Sequence, residues 1–125
     1  MSSEWRMLTR RAALRLTGGE IRVPCGRERF QKVCVDESME DVIRLWSVVV
    51  TRGGAQHLKN PSLEAWRINS YRELVGFKVA EHGRVIGECW VPMIGITEDE
   101  WKTYVVTLAK ACDRLEYLWT GKDVD

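Results

Sequence analysis

Residues 75–101 read VGFKVAEHGRVIGECWVPMIGITEDEW, and this stretch decides the fold. In its first part Val75, Phe77 and Val79 alternate with Gly76, Lys78 and Ala80. After a polar break, Val85, Gly87, Cys89 and Val91 alternate with Ile86, Glu88 and Trp90. A period of two is the signature of a half-buried strand, so the stretch predicts a hairpin. Loop length then sets the register. A two-residue loop at His82-Gly83 would bring Phe77 beside Glu88. A three-residue loop, Glu81-His82-Gly83 with Gly83 left-handed, aligns Val75, Phe77, Val79, Val85, Gly87, Cys89 and Val91 on one face. The three-residue loop is therefore expected. Ile86, Glu88 and Trp90 then point to the opposite face, with Lys78.

The end of the same stretch starts a helix. Thr97 and Glu100 have the T-x-x-E spacing of a capping box, and Ile96 and Trp101 hold the two positions of a hydrophobic staple. Trp101, Tyr104, Val105, Leu108, Ala111, Cys112, Leu115, Leu118 and Trp119 then continue an apolar face for about six turns. Such a helix is roughly 33 Å long at 1.5 Å per residue. Gly121 marks its stop, and Leu108 falls at the middle of the stripe.

Towards the N-terminus, Trp5, Leu8, Ala12 and Leu16 recur at helical spacing, predicting a helix over 4–17 that Gly18-Gly19 ends. Its other sides carry Arg6, Arg10, Arg11 and Arg15. Three strands follow, at 20–25, 28–36 and 41–51. The third is rich in Val and Ile, with Ile43, Leu45 and Val49 on one face and Arg44, Trp46 and Val48 on the other. Residues 52–60 read as a loop. Asn60-Pro61 then predicts a helix start, for a middle helix over about 61–73. The expected fold is α+β: helix, three strands, helix, two-stranded hairpin and long C-terminal helix, with an antiparallel sheet and its helices packed on one face. The 125 residues are expected to form a single domain over 1–125.

In that order, three segments resemble the YbjN-type domain, whose fold is similar to that of type III secretion chaperones. They are Leu63 to Arg72, Phe77 to Val85, and Val91 to Trp101, in which Gly95-Ile96-Thr97-Glu98 is the most characteristic phrase. The resemblance implies a non-enzymatic domain that binds other proteins and often dimerises. It supplies no catalytic residue. Secretion chaperones are typically acidic, whereas this chain has a net charge of +1.

Composition narrows the function classes. Hydrophobic residues make up 45% and charged residues 30%, the balance of a globular protein. No apolar run approaches the roughly 20 residues of a membrane span, and residues 1–6 lack a signal peptide's apolar core, so a cytoplasmic location is expected. Cys25, Cys34, Cys89 and Cys112 show no zinc-ligand spacing and sit among apolar residues, as buried thiols do. Neither a metal nor a cofactor is expected. Few Asn and Gln (Gln31, Gln56, Asn60 and Asn69) beside many charges is a thermophile-like composition, in which intracellular disulfides occur, and Cys89 with Cys112 is the pair to inspect. His82 reads as a solvated turn residue and His57 as a loop residue.

Two acidic groups could be read as an acid–base pair or cation site: Asp36, Glu37, Glu40 and Asp41, and Glu98, Asp99 and Glu100. A turn accounts for the first and a helix N-terminus for the second. The four helix arginines could suggest nucleic-acid binding, which the near-neutral net charge does not favour. The expected function is a protein-interaction module with no enzymatic activity. It would bind a protein partner or itself, as a homodimer, through Trp46, Val48, Ile86 and Trp90 on the outer sheet face. That inference rests on large apolar residues left over once one face is packed.

Overall fold

The computed structural model describes residues 4–26, 28–50 and 74–120. Its elements are α1 (Glu4–Arg11), β1 (Arg15–Thr17), β2 (Glu20–Gly26), β3 (Arg29–Asp36), β4 (Val42–Val50), β5 (Gly76–Val79), β6 (Val85–Pro92) and α2 (Glu98–Thr120). The strands form one antiparallel sheet in the order β1-β2-β3-β4-β6-β5. The middle helix expected over 61–73 and the loop before it lie outside the described residues.

The hairpin has the expected register. Val79 faces Val85 and Phe77 faces Gly87, around a three-residue loop in which Gly83 has φ +75°. His82 is left-handed as well, at φ 68°. One consequence of that register is the burial of Val75, Phe77, Val85, Cys89 and Val91 on the inner face. They join Ile21, Val23, Val33 and Leu45 from the other strands, and Trp101, Val105, Leu108, Cys112 and Leu115 of α2 close the core over them.

The capping box at the start of α2 is reciprocal. The Glu100 N–H donates to Thr97 Oγ1 at 3.1 Å, and the Thr97 N–H donates to Glu100 Oε1 at 2.9 Å. Trp101, fully buried, fixes how α1 sits on α2. Its indole N–H donates to Thr9 Oγ1 at 3.0 Å, and that hydroxyl donates to the Trp5 carbonyl at 2.6 Å. At the other end of α2, Asp113 accepts from Arg29 of β3 at 3.2–3.3 Å, and the same guanidinium lies 5.3 Å from the Tyr117 ring.

The N-terminal segment corrects the sequence reading. The helix stops at Arg11 rather than continuing to residue 17, and residues 15–17 form a sixth strand. Its stop is a Schellman motif: the Ala13 N–H donates to the Arg10 carbonyl and the Leu14 N–H to the Thr9 carbonyl, both at 3.0 Å. Gly18-Gly19 is then a two-residue hairpin turn, not a helix end, since Thr17 faces Glu20 across it and Gly18 has φ +61°. Pairing with β2 outweighs the helical spacing of Leu16. Ala13 holds the left-handed position of the motif at φ 60°, where an L side chain is strained. Ala13→Gly should therefore stabilise the protein by about 1 kcal/mol. A urea titration that shows a loss of stability instead would mean that the Ala13 methyl packs better than its backbone is strained.

Candidate functional site

The outer face of the sheet is set by the β4–β6 register. Arg44 faces Trp90, Trp46 faces Glu88 and Val48 faces Ile86. All four residues expected at an interface (Trp46, Val48, Ile86 and Trp90) therefore lie on one face, on two adjacent strands. Their exposure is uneven. Trp90 is 48% exposed, Trp46 and Val48 are half-buried, and Ile86 is only 3% exposed. Ile86 thus belongs to the packed part of this face, which corrects its expected place in a solvent-facing cluster.

Charge runs through this aromatic surface. Arg44 Nε donates to Glu88 Oε2 at 2.5 Å, and Lys78 Nζ lies 3.2 Å from Glu88 Oε1. Asp36, whose carboxylate is 4.0 Å from Arg44, is held below its usual pKa by the Ser38 backbone N–H that it accepts at 2.9 Å. The Arg44 guanidinium lies 5.9 Å from the Trp46 ring and 6.0 Å from the Trp90 ring, and Arg84 lies 5.6 Å from Trp46. On the β2–β3 side, Arg22 lies 4.5 Å from the Phe30 ring. Each of these separations suits a cation–π contact. Sequence reading left Glu88, Arg84 and Asp36 out of the site. The signal was present, because Arg44 and Glu88 alternate onto the same faces as Trp46 and Trp90, but the adjacency of β4 and β6 was not readable.

Between β3 and β4 the sheet changes character. Backbone pairing runs from Asp36–Arg44 to Cys34–Trp46, and beyond it side chains take over. Gln31 Nε2 donates to Ser47 Oγ at 2.8 Å and to the Val48 carbonyl at 2.7 Å, while Ser47 Oγ donates to the Lys32 carbonyl at 2.5 Å. A cleft of about 260 Å³ opens there on the outer face, lined by Glu20, Lys32, Cys34, Trp46 and Arg84 among others. A second cleft, of about 490 Å³, lies on the other side of the Trp46–Arg84 pair.

The remaining candidates separate. The acids of the β3–β4 connection rim a groove of about 410 Å³ with Trp5, Ile43 and Met93. Among the described residues no three His, Cys, Asp or Glu side chains gather to hold a metal ion. Glu98, Asp99 and Glu100 occupy the first turn of α2. The four arginines expected on one helix divide: Arg6 stacks 4.4 Å over Trp5, Arg10 and Arg11 are exposed on α1, and Arg15 stands on β1.

Cys89 and Cys112 are buried free thiols. Burial first, then the Glu88 charge, pushes Cys89 up to about 12. Burial raises Cys112 further, and burial followed by Glu20 raises Cys34 to about 11. These folded values exceed the ordinary 9.0, so their contribution to stability is complete below pH 9 and is lost as pH rises from about 9 towards 12. At pH 8, Cys89 and Cys112 should resist a disulfide reagent until the protein is unfolded. Rapid labelling of either in the native state would contradict their placement.

The architecture, a six-stranded antiparallel sheet with α1 and a long C-terminal helix packed against it, is an α+β fold like that of type III secretion chaperones. Among solved structures, the chain is similar to one in "Structure of the HopA1-SchA Chaperone-Effector Complex", with a TM-score of 0.56 over 88% of each chain at 12% identity. No protein-family model matches the chain, and no curated protein matches it. Among the described residues, no helix is long and apolar enough to cross a membrane.

Proposed function

We propose that this chain is a non-enzymatic protein-interaction domain of the YbjN type, one domain over 1–125, cytoplasmic, acting through its outer sheet face. The observation that carries the reading is Trp90, half exposed and paired with Arg44 on the β4–β6 surface. Trp and Arg are the residue types that most often dominate interface energetics. Arg44 is already neutralised by Glu88 and Asp36. Covering it with a partner therefore strands no unpaired charge, the main penalty of burying an arginine. The chaperone-like fold supports the same reading, because a solved structure that it resembles is of a chaperone–effector complex.

Mutual burial of Trp90 in a homodimer is the first use of this face, and capture of another protein is the second. Trp90→Ala should weaken self-association by more than about 1 kcal/mol, about fivefold in dissociation constant, while circular dichroism stays unchanged. Sedimentation of parent and variant over a concentration series reads this directly. A parent that stays monomeric at every concentration would remove the homodimer, and a variant that associates like the parent would remove Trp90 from the interface.

A further inference from the structure

We propose that the β1–β2–β3 half of the outer face docks an acidic, extended segment of a partner protein. The inference rests on reading the outer face as protein-binding and names the partner's chemistry. In register, Arg15 faces Arg22 across β1–β2, and Arg22 faces Lys32 across β2–β3. Three cations therefore stand side by side on one rung. Like charges directly opposite each other destabilise a sheet. Among the described residues no carboxylate lies within ion-pair distance of any of the three, unlike Arg44 and Lys78 on the other half of the face. Arg84 adds a fourth cation beside the cleft that Lys32 also lines. The buried Nε–H groups of Arg22 and Arg84 find no acceptor, and among the described residues neither guanidinium has a carboxylate within ion-pair distance. On the described part of the outer face, six cations (Arg15, Arg22, Lys32, Arg44, Lys78 and Arg84) meet four carboxylates (Glu20, Asp36, Glu81 and Glu88), whereas the whole chain carries only +1.

The row spans about 10 Å at the spacing of neighbouring strands, the length of about three residues of extended chain. Carboxylates match the fork of arginine donors better than any neutral group. An acidic peptide is favoured over a nucleic acid because guanidinium groups already stand over Trp46, Trp90 and Phe30. Bases would have to displace them before stacking on those rings.

The test is fluorescence anisotropy with a short labelled peptide of alternating Glu and Thr, its Gln-for-Glu counterpart, and oligo-dT. The Glu peptide should bind, the Gln peptide should bind at least about tenfold more weakly, and binding should fall as salt rises. Lys32→Glu should cut Glu-peptide affinity by at least about tenfold and raise the melting temperature, because it relieves the cationic row. Arg22→Gln should weaken binding as well, with an unchanged circular dichroism spectrum. Equal binding of the two peptides, or unchanged affinity in Lys32→Glu, overturns the proposal. Tighter binding of oligo-dT reassigns the strip to nucleic acid, and a dimer that Lys32→Glu dissolves reassigns it to a second copy; either result overturns it. If both peptides bind equally and Trp90→Ala abolishes both, the charge inference fails while the protein-binding reading stands. If no peptide binds and the parent is monomeric, both fail.

Discussion

Leu108→Ala should destabilise the protein by about 2–5 kcal/mol, a large part of the roughly 5–15 kcal/mol that holds a domain together. Leu108 is fully buried at the centre of α2, and its neighbours along the stripe, Trp101, Val105, Cys112 and Leu115, are buried with it. Truncation removes its contacts with that cluster and leaves a cavity among groups held by both the sheet and the helix, which limits collapse. Leu118→Ala is the control. Leu118 was expected on the same apolar face, yet it is 69% exposed, so its truncation should change stability by no more than about 0.5 kcal/mol. At about 100° per residue, Leu118 is rotated roughly 80° from Leu108, while Leu115 stays within about 20°. Chemical denaturation of the two variants measures the contrast. Equal losses, or none at Leu108, would mean that α2 does not pack as described.

How much of this was readable in advance depended on how local the deciding signal was. The hairpin register followed from one glycine and strict alternation, and the α2 start followed from Thr97 and Glu100, all within a few residues. Residues 15–17 went wrong for a non-local reason. Leu16 continues the helical spacing of Trp5, Leu8 and Ala12, but β2 offers a backbone ladder that a helix cannot match once Gly18 turns the chain. The Ala13 stop was invisible because an alanine holds a position that glycine usually takes.

The candidate site shows the same division. Alternation assigned Trp46, Val48, Ile86 and Trp90 to their faces, since that needs only strand periodicity. It could not show that β4 lies beside β6, two strands separated by more than thirty residues of sequence. That adjacency places Arg44 opposite Trp90 and lets Glu88 bind both Arg44 and Lys78. An expected apolar patch is therefore an aromatic surface laced with ion pairs on one half and bare cations on the other. Burial of Ile86 follows from packing on this face, which period-two reasoning cannot weigh.

Gly87→Ala should be as costly as a large cavity, for the opposite reason. Gly87 sits on β6 between Phe77 of β5 and Ser47 of β4, directly under α2. A Cβ built there meets Cys112 Sγ at 2.5 Å and Phe77 Cε1 at 3.0 Å. Real Cβ contacts do not reach the first of these distances, so the helix or the sulfur must move. The sulfur has little freedom, because Cys112 is fully buried and its thiol donates to the Ser47 carbonyl at 3.8 Å. Overpacking of this kind costs about 1–3 kcal/mol and more where backbone must shift, as here, where α2 lies against the sheet. The missing side chain at residue 87 is thus what lets the long helix approach the strands closely. The double variant Gly87→Ala/Cys112→Ala supplies the decisive measurement. Removing the sulfur clears the contact, so the pair should be more stable than the sum of the two single losses predicts, with a coupling of about 0.5–3 kcal/mol. If Gly87→Ala unfolds at the same denaturant concentration as the parent, or if the two losses simply add, α2 does not approach β6 through this glycine.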